Sequence, residues 1–113
     1  METKDFADAC GRSALEKKAK DVVVLDLSGL TDIADYFVIA SGASERHVKT
    51  IAEAIEYDMK EKGIAPFSTE GYEEGRWIIV DYGDAVIHVF LESLRELYDL
   101  ESLWIEAKRY VMD

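Results

Sequence analysis

Few residues in this chain are of types that do chemistry, and their spacing limits what each can do. His47 and His88 are the only histidines. His88 stands inside the apolar run Val86-Ile87-His88-Val89-Phe90, where strand alternation puts it on the face of Val86 and Phe90. A lone histidine in such a run is more often a hydrogen-bonded structural residue than a catalytic base. No second ligand stands at zinc spacing. Cys10, the single cysteine, reads as a small apolar filler on a helix, with no basis for nucleophilic catalysis.

Ser41-Gly42-Ala43-Ser44 lies between an apolar run and a helical pattern, where a phosphate could rest on first-turn N–H groups. It lacks the lysine of a Walker loop and the glycine spacing of a dinucleotide fingerprint, so a turn with a helix cap outweighs a phosphate site. A Gly-Ser turn opening a helix also resembles the one in nucleotidyltransferases. Their chemistry needs two carboxylates at i and i+2 of an adjacent strand to hold divalent metal. No strand run here carries Asp-x-Asp or Asp-x-Glu, and Asp81 and Asp84, three apart across a turn, read as hairpin residues. No catalytic residue, metal ligand or cofactor site is assigned.

The elements that must position these residues follow from periodicity. Thr3 to Lys20, rich in Ala, Lys and Glu, reads as a helix weakened by Gly11. Val22 to Leu27 and Tyr36 to Ala40 read as strands, the first buried on both faces. Ser44 is placed to cap a helix whose apolar face is Val48, Ile51, Ala52, Ile55 and Met59, and Gly63 is placed to end it. A short strand is expected over Phe67 to Glu70, then a hairpin of Trp77 to Val80 and Ala85 to Phe90 around Asp81-Tyr82-Gly83-Asp84. Leu94, Leu97, Leu100 and Leu103, spaced by three, return the tail to helix, with Asp99 as a cap for a fresh turn. The last nine residues carry no clear signal. The order α-β-β-α-β-β-β-α implies an α/β fold: one domain over 1–113, with a mixed sheet of about five strands flanked by helices.

Composition narrows the partners. The chain has 113 residues, 49% apolar and 11% aromatic, enough to bury a core. Thirteen Lys plus Arg against 24 Asp plus Glu give a net charge of −11. Nucleic-acid affinity comes mainly from cations that displace phosphate counterions, so direct contact with nucleic acid is expected to be small and a basic protein partner fits better. One cysteine allows no internal disulfide and fits a reducing compartment. Met1-Glu2-Thr3-Lys4-Asp5 begins no signal peptide, and no apolar run approaches the roughly 20 residues of a membrane span. A soluble, cytoplasmic protein is expected.

Trp77, Tyr82, Tyr98 and Trp104 all fall in the C-terminal third. Large aromatics anchor interfaces and also close small cores. For Trp77 and Tyr82 the two roles weigh evenly, whereas Trp104, at helical spacing after Leu100, leans toward core.

The same residues carry a family resemblance. Asp21 to Leu27, continuing to Ala34-Asp35-Tyr36-Phe37-Val38-Ile39, resembles the opening strands of ribosomal silencing (Iojap) factors. So do Ser41-Gly42-Ala43-Ser44 with Arg46-His47-Val48, and Glu70-Gly71. Trp77-Ile78-Ile79-Val80-Asp81-Tyr82-Gly83-Asp84, followed by His88-Val89-Phe90, is the strongest match, and Arg95, Tyr98, Leu100, Glu101, Leu103 and Trp104 extend it. The resemblance spans about Ala14 to Ala107. Ala85 departs from the larger β-branched residue usual there, and Ser93 from a frequent acidic one.

The resemblance implies a nucleotidyltransferase-like core without the catalytic carboxylates, and a protein that is not an enzyme. It implies a translational repressor that docks on the large ribosomal subunit through ribosomal protein number fourteen and sterically blocks subunit joining. An acidic chain docking on a basic ribosomal protein is electrostatically reasonable. The expected docking residues are Trp77 and Tyr82 as anchors, with Glu92, Tyr98 and Glu101 beside them. A divergent metal-dependent nucleotidyltransferase and an acidic module with some other basic partner stand as alternatives. Apolar strand edges or an uncovered docking patch also leave a homodimer of the free protein open.

Overall fold

Alternation in the β-branched runs produces a sheet with two apolar faces, and the two faces are covered very unequally. A computed structural model describes residues 1–113. Its strands are β1 (Lys20–Asp26), β2 (Tyr36–Gly42), β3 (Ser68–Glu70), β4 (Trp77–Asp81), β5 (Ala85–Leu91) and β6 (Lys108–Met112). The helices are α1 (Thr3–Glu16), α2 (Glu45–Glu61), α3 (Glu92–Tyr98) and α4 (Leu100–Leu103). The six strands form one mixed sheet in the order β3-β4-β5-β2-β1-β6. β2 and β5 run parallel, and every other neighbouring pair is antiparallel.

The first face carries Val22, Val24, Val38, Ala40, Ile78, Val80, Ile87 and Val89, and α1 and α2 cover it. α2 is built as its pattern predicts. Val48, Ile51, Ala52, Ile55 and Met59 are buried, and Ser44 Oγ accepts the His47 N–H at 3.1 Å. α1 ends at Glu16 rather than Lys20. Lys17 to Ala19 turn back onto the carbonyls of Ala14 and Leu15, and Lys18 takes a φ of 63°. Gly11 has a packing reason: a Cβ there would collide with Sδ of Met112, so the glycine lets β6 approach the helix.

The second face carries Val23, Leu25, Phe37, Ile39, Val86 and Phe90, with Trp77 and Ile79 at its edge. Only the short α3 and α4 and the segment around Trp104 lie over it.

Two expectations change here. A sixth strand, β6, pairs with β1 from Val22↔Met112 to Asp26↔Lys108, using the tail that carried no signal. The leucine series is not one helical face, because Leu97 and Leu103 are each 73% exposed. Three-residue spacing drifts by about 60° per step around a helix. The helix also breaks at Asp99, whose φ of 44° and ψ of 52° are left-handed. Trp104 is half-buried and meets Phe37 edge-on at 6.2 Å, on the core side as expected.

Candidate docking site

Trp77 opens β4 and projects onto the thinly covered face. Register sets its neighbours: Trp77 pairs with Phe90 and Ile79 with His88, so the four side chains share one face. The indole stacks on Phe90 at 4.7 Å and 25°, and meets Tyr98 of α3 in a tilted contact at 4.8 Å and 44°. Its Nε1–H donates to Nδ1 of His88 at 3.2 Å. Tyr98 is 54% exposed, and Leu94, one turn before it, is half-buried. Trp77, Leu94 and Tyr98 line a groove with Glu73, Glu74 and Arg76 of the β3–β4 loop.

The other three expected docking residues lie elsewhere. Tyr82 is separated from Trp77 by the sheet. It is buried against α1, edge-on to Phe6 at 4.8 Å, and its hydroxyl has no partner. Burial raises the pKa of that phenol. Glu92 stands 3.1 Å from Nζ of Lys20, an exposed ion pair without a well-aligned hydrogen bond. Glu101 faces inward: its Oε2 accepts from Nη2 of Arg95 at 3.0 Å. Arg95 is itself buried, and its Nη1 donates to Oγ of Ser41 at 3.0 Å and to the Asp21 carbonyl. Arg95 therefore ties α3 to β1, β2 and α4.

Residue types alone gave His88 a structural role, and the structure attaches it to Trp77. Burial lowers its pKa to about 4, with the Asp81 carboxylate opposing. Parity was the available signal, since His88 and Phe90 share a face by alternation.

The remaining chemistry-bearing residues are engaged in the fold. His47 fills the Ser41–Ser44 turn: its Nδ1 accepts the Ala43 N–H at 2.9 Å and its Nε2 lies 2.7 Å from the Lys17 carbonyl. Asp81 Oδ1 accepts the Gly83 N–H at 2.7 Å, and Asp26 Oδ1 accepts the Ser28 N–H at 3.0 Å. The Asp84 carbonyl receives the N–H groups of Asp35 and Tyr36. No three His, Cys, Asp or Glu side chains are grouped to hold a metal ion. Cys10 is buried, which pushes its thiol up to about 12 and leaves it protonated and unreactive. No helix is long and apolar enough to cross a membrane.

Against known proteins, the family described as "Ribosomal silencing factor during starvation" matches residues 1–113. The chain belongs to the ribosomal silencing factor family. It is 39% identical to the ribosomal silencing factor RsfS of Bacillus subtilis, over 95% of this chain and 91% of that protein. It is 34% identical to a mouse protein named "Mitochondrial assembly of ribosomal large subunit protein 1", over 79% of this chain and 40% of that one. A crystal structure of a protein from Chromobacterium violaceum superposes with a TM-score of 0.89 at 38% identity, covering 92% of this chain and 87% of that one. Membership places the chain among ribosome-associated silencing factors, which are regulatory proteins.

Proposed function

We propose that this chain silences translation by docking on the large ribosomal subunit, through ribosomal protein number fourteen, and holding the small subunit off by steric exclusion. The observation that carries the reading is the Trp77–Tyr98 pair. Two large aromatics lie in tilted contact at the edge of a sheet face covered only by two short helices and the segment around Trp104. Rigid aromatic pairs of this kind supply buried area at low entropic cost. Glu73 and Glu74 beside the pair, on a chain of net charge −11, favour a basic protein surface over a phosphate backbone. The name of the mouse relative points to the same ribosomal subunit. The protein acts in the cytoplasm in this reading, and no reaction is catalysed.

Co-sedimentation with purified large subunits tests it, followed by addition of small subunits to follow joining. The parent protein is expected to bind and to lower the yield of joined ribosomes. Trp77→Ala is expected to lose about 2 kcal/mol or more of binding while staying folded. A folded Trp77→Ala protein that binds as the parent does would remove the assignment.

A further inference from the structure

His88 is 6% exposed, and its side chain accepts the indole N–H of the anchor. On the β4–β5 pair, Trp77 and His88 are diagonal neighbours on one face. A ring nitrogen that accepts carries no proton, so with Nδ1 taking the indole N–H, the neutral imidazole holds its proton on Nε2. That Nε2–H is buried with no acceptor in the protein, in a ring hemmed by Phe37 at 4.6 Å and Phe90 at 6.3 Å. A leucine here would remove that orphaned donor but would leave the Trp77 indole N–H without its acceptor, so the histidine carries an unpaired group of its own for the sake of the bond to Trp77. A local rule broken beside a binding surface points to service of that surface.

The service is orientation. Stacking on Phe90 fixes the plane of the indole, whereas a flip of the ring about Cβ–Cγ would turn its N–H away and carry its six-membered ring to the other side. The hydrogen bond to His88 selects one of the two. We propose that His88 is the positioning residue of the docking surface, its Nδ1 holding the indole of Trp77 in the orientation that presents the ring, with Tyr98 beside it, to the ribosomal partner. The proposal rests on the docking reading above and adds preorganisation to it: an anchor already fixed loses less freedom on binding.

The test uses the full chain labelled with nitrogen-15, the Trp104 signal being assigned with Trp104→Phe. His88→Asn can place an acceptor where Nδ1 stands, whereas His88→Gln reaches instead for the Nε2 position and His88→Leu offers none. The Trp77 indole N–H is expected to exchange slowly in the parent and in His88→Asn, and faster in His88→Gln and His88→Leu. Affinity for purified large subunits should follow the same division. His88→Asn should stay near the parent, while the other two fall about tenfold, the equivalent of one lost hydrogen bond. His88→Leu exchanges one unpaired donor for another and should unfold near the parent's urea concentration, so that binding and stability move apart, which a purely structural histidine would not produce. Unchanged indole exchange in His88→Leu overturns the proposal. So does parental affinity in His88→Leu when Trp77→Ala has lost binding, and in that case the docking reading survives alone. Parental affinity in Trp77→Ala overturns the docking reading and the proposal with it.

Discussion

Nη2 of Arg95 donates to Oε2 of Glu101 at 3.0 Å, across the left-handed break at Asp99, with the two side chains only 10% and 16% exposed. This is an interior pair that fixes α4 against α3. Glu101→Ala leaves the guanidinium its Ser41 and Asp21 acceptors but removes its counter-charge. A loss of about 2 kcal/mol is expected, below the cost for a fully isolated buried charge. Arg95→Met combined with Glu101→Leu should recover part of it. Urea unfolding of the two single variants and the double variant measures the coupling.

Gly71 lies against the backbone of Trp77, the proposed anchor. Its φ is +89°, and a Cβ there would collide with the carbonyl oxygen of Trp77. Gly71→Ala is expected to destabilise the protein by about 2 kcal/mol, through left-handed strain and displaced backbone together. Because the displaced atom belongs to Trp77, affinity for the large subunit should fall as well. A circular-dichroism melt beside a co-sedimentation assay reads both, and an unchanged melt would contradict the geometry.

Tyr82 separates core from interface. Its hydroxyl is buried without a partner, and its ring packs on Phe6 behind the sheet. Tyr82→Phe removes the unpaired group and keeps the ring, so stability should hold or rise slightly. Tyr82→Ala should cost about 3 kcal/mol or more, as for other buried aromatics. Ribosome affinity of the Phe variant should match the parent, whereas loss of binding without loss of stability would return Tyr82 to the docking surface.

Local signals in the sequence account for most of the fold. The β-branched runs became β1 and β2, the three-and-four spacing with the Ser44 cap became α2, and the Asp81–Asp84 turn joined β4 to β5. β6 was not legible because Lys108-Arg109-Tyr110-Val111-Met112 shows neither a continuous apolar run nor turn residues around it. It is a strand because β1 offers an edge far away in sequence. In the candidate site, residue type left core and interface evenly weighed for Trp77, and Tyr98 stood only as a secondary docking candidate. The separation of Tyr82 from Trp77 was not legible, because Tyr82 stands in the hairpin turn, beyond the alternation of β4. The inward turn of Glu101 was not either, because it depends on the left-handed conformation of Asp99, which no local preference dictates.

His88 makes stability depend on pH in a defined direction. Its folded pKa is lowered to about 4 from an ordinary value of 6.5, so between those values the unfolded chain binds the proton and the folded chain does not. Stability from this residue is therefore fully present above about pH 7 and is lost as pH falls, reaching about 3 kcal/mol near pH 4. Carboxylates titrate in the same range, so the comparison needs a variant. Urea unfolding of the parent and of His88→Leu at pH 7 and pH 4.5 should show the parent losing more by most of that amount. Equal losses would mean that the imidazole is not held neutral.

Salt distinguishes protein-on-protein docking from contact with ribosomal RNA. A protein that neutralises phosphates releases counterions, and its affinity falls steeply as salt rises. The overall field of this chain, at net charge −11, is repelled by RNA, and in the proposed docking mode attraction arises only where a basic protein patch meets its groove. Both interactions are screened beyond about 10 Å at moderate ionic strength, so added salt weakens the attraction and relieves the repulsion together. Binding to intact large subunits is therefore expected to change little, or to pass through a maximum, between low and moderate salt. Binding to the isolated ribosomal protein number fourteen lacks the repulsive contribution and should weaken steadily, chiefly through slower association. The two titrations, run side by side, decide the matter. A fall for the intact subunit as steep as that of an RNA-binding protein would mean that phosphate contacts dominate, and the proposed docking mode would be wrong.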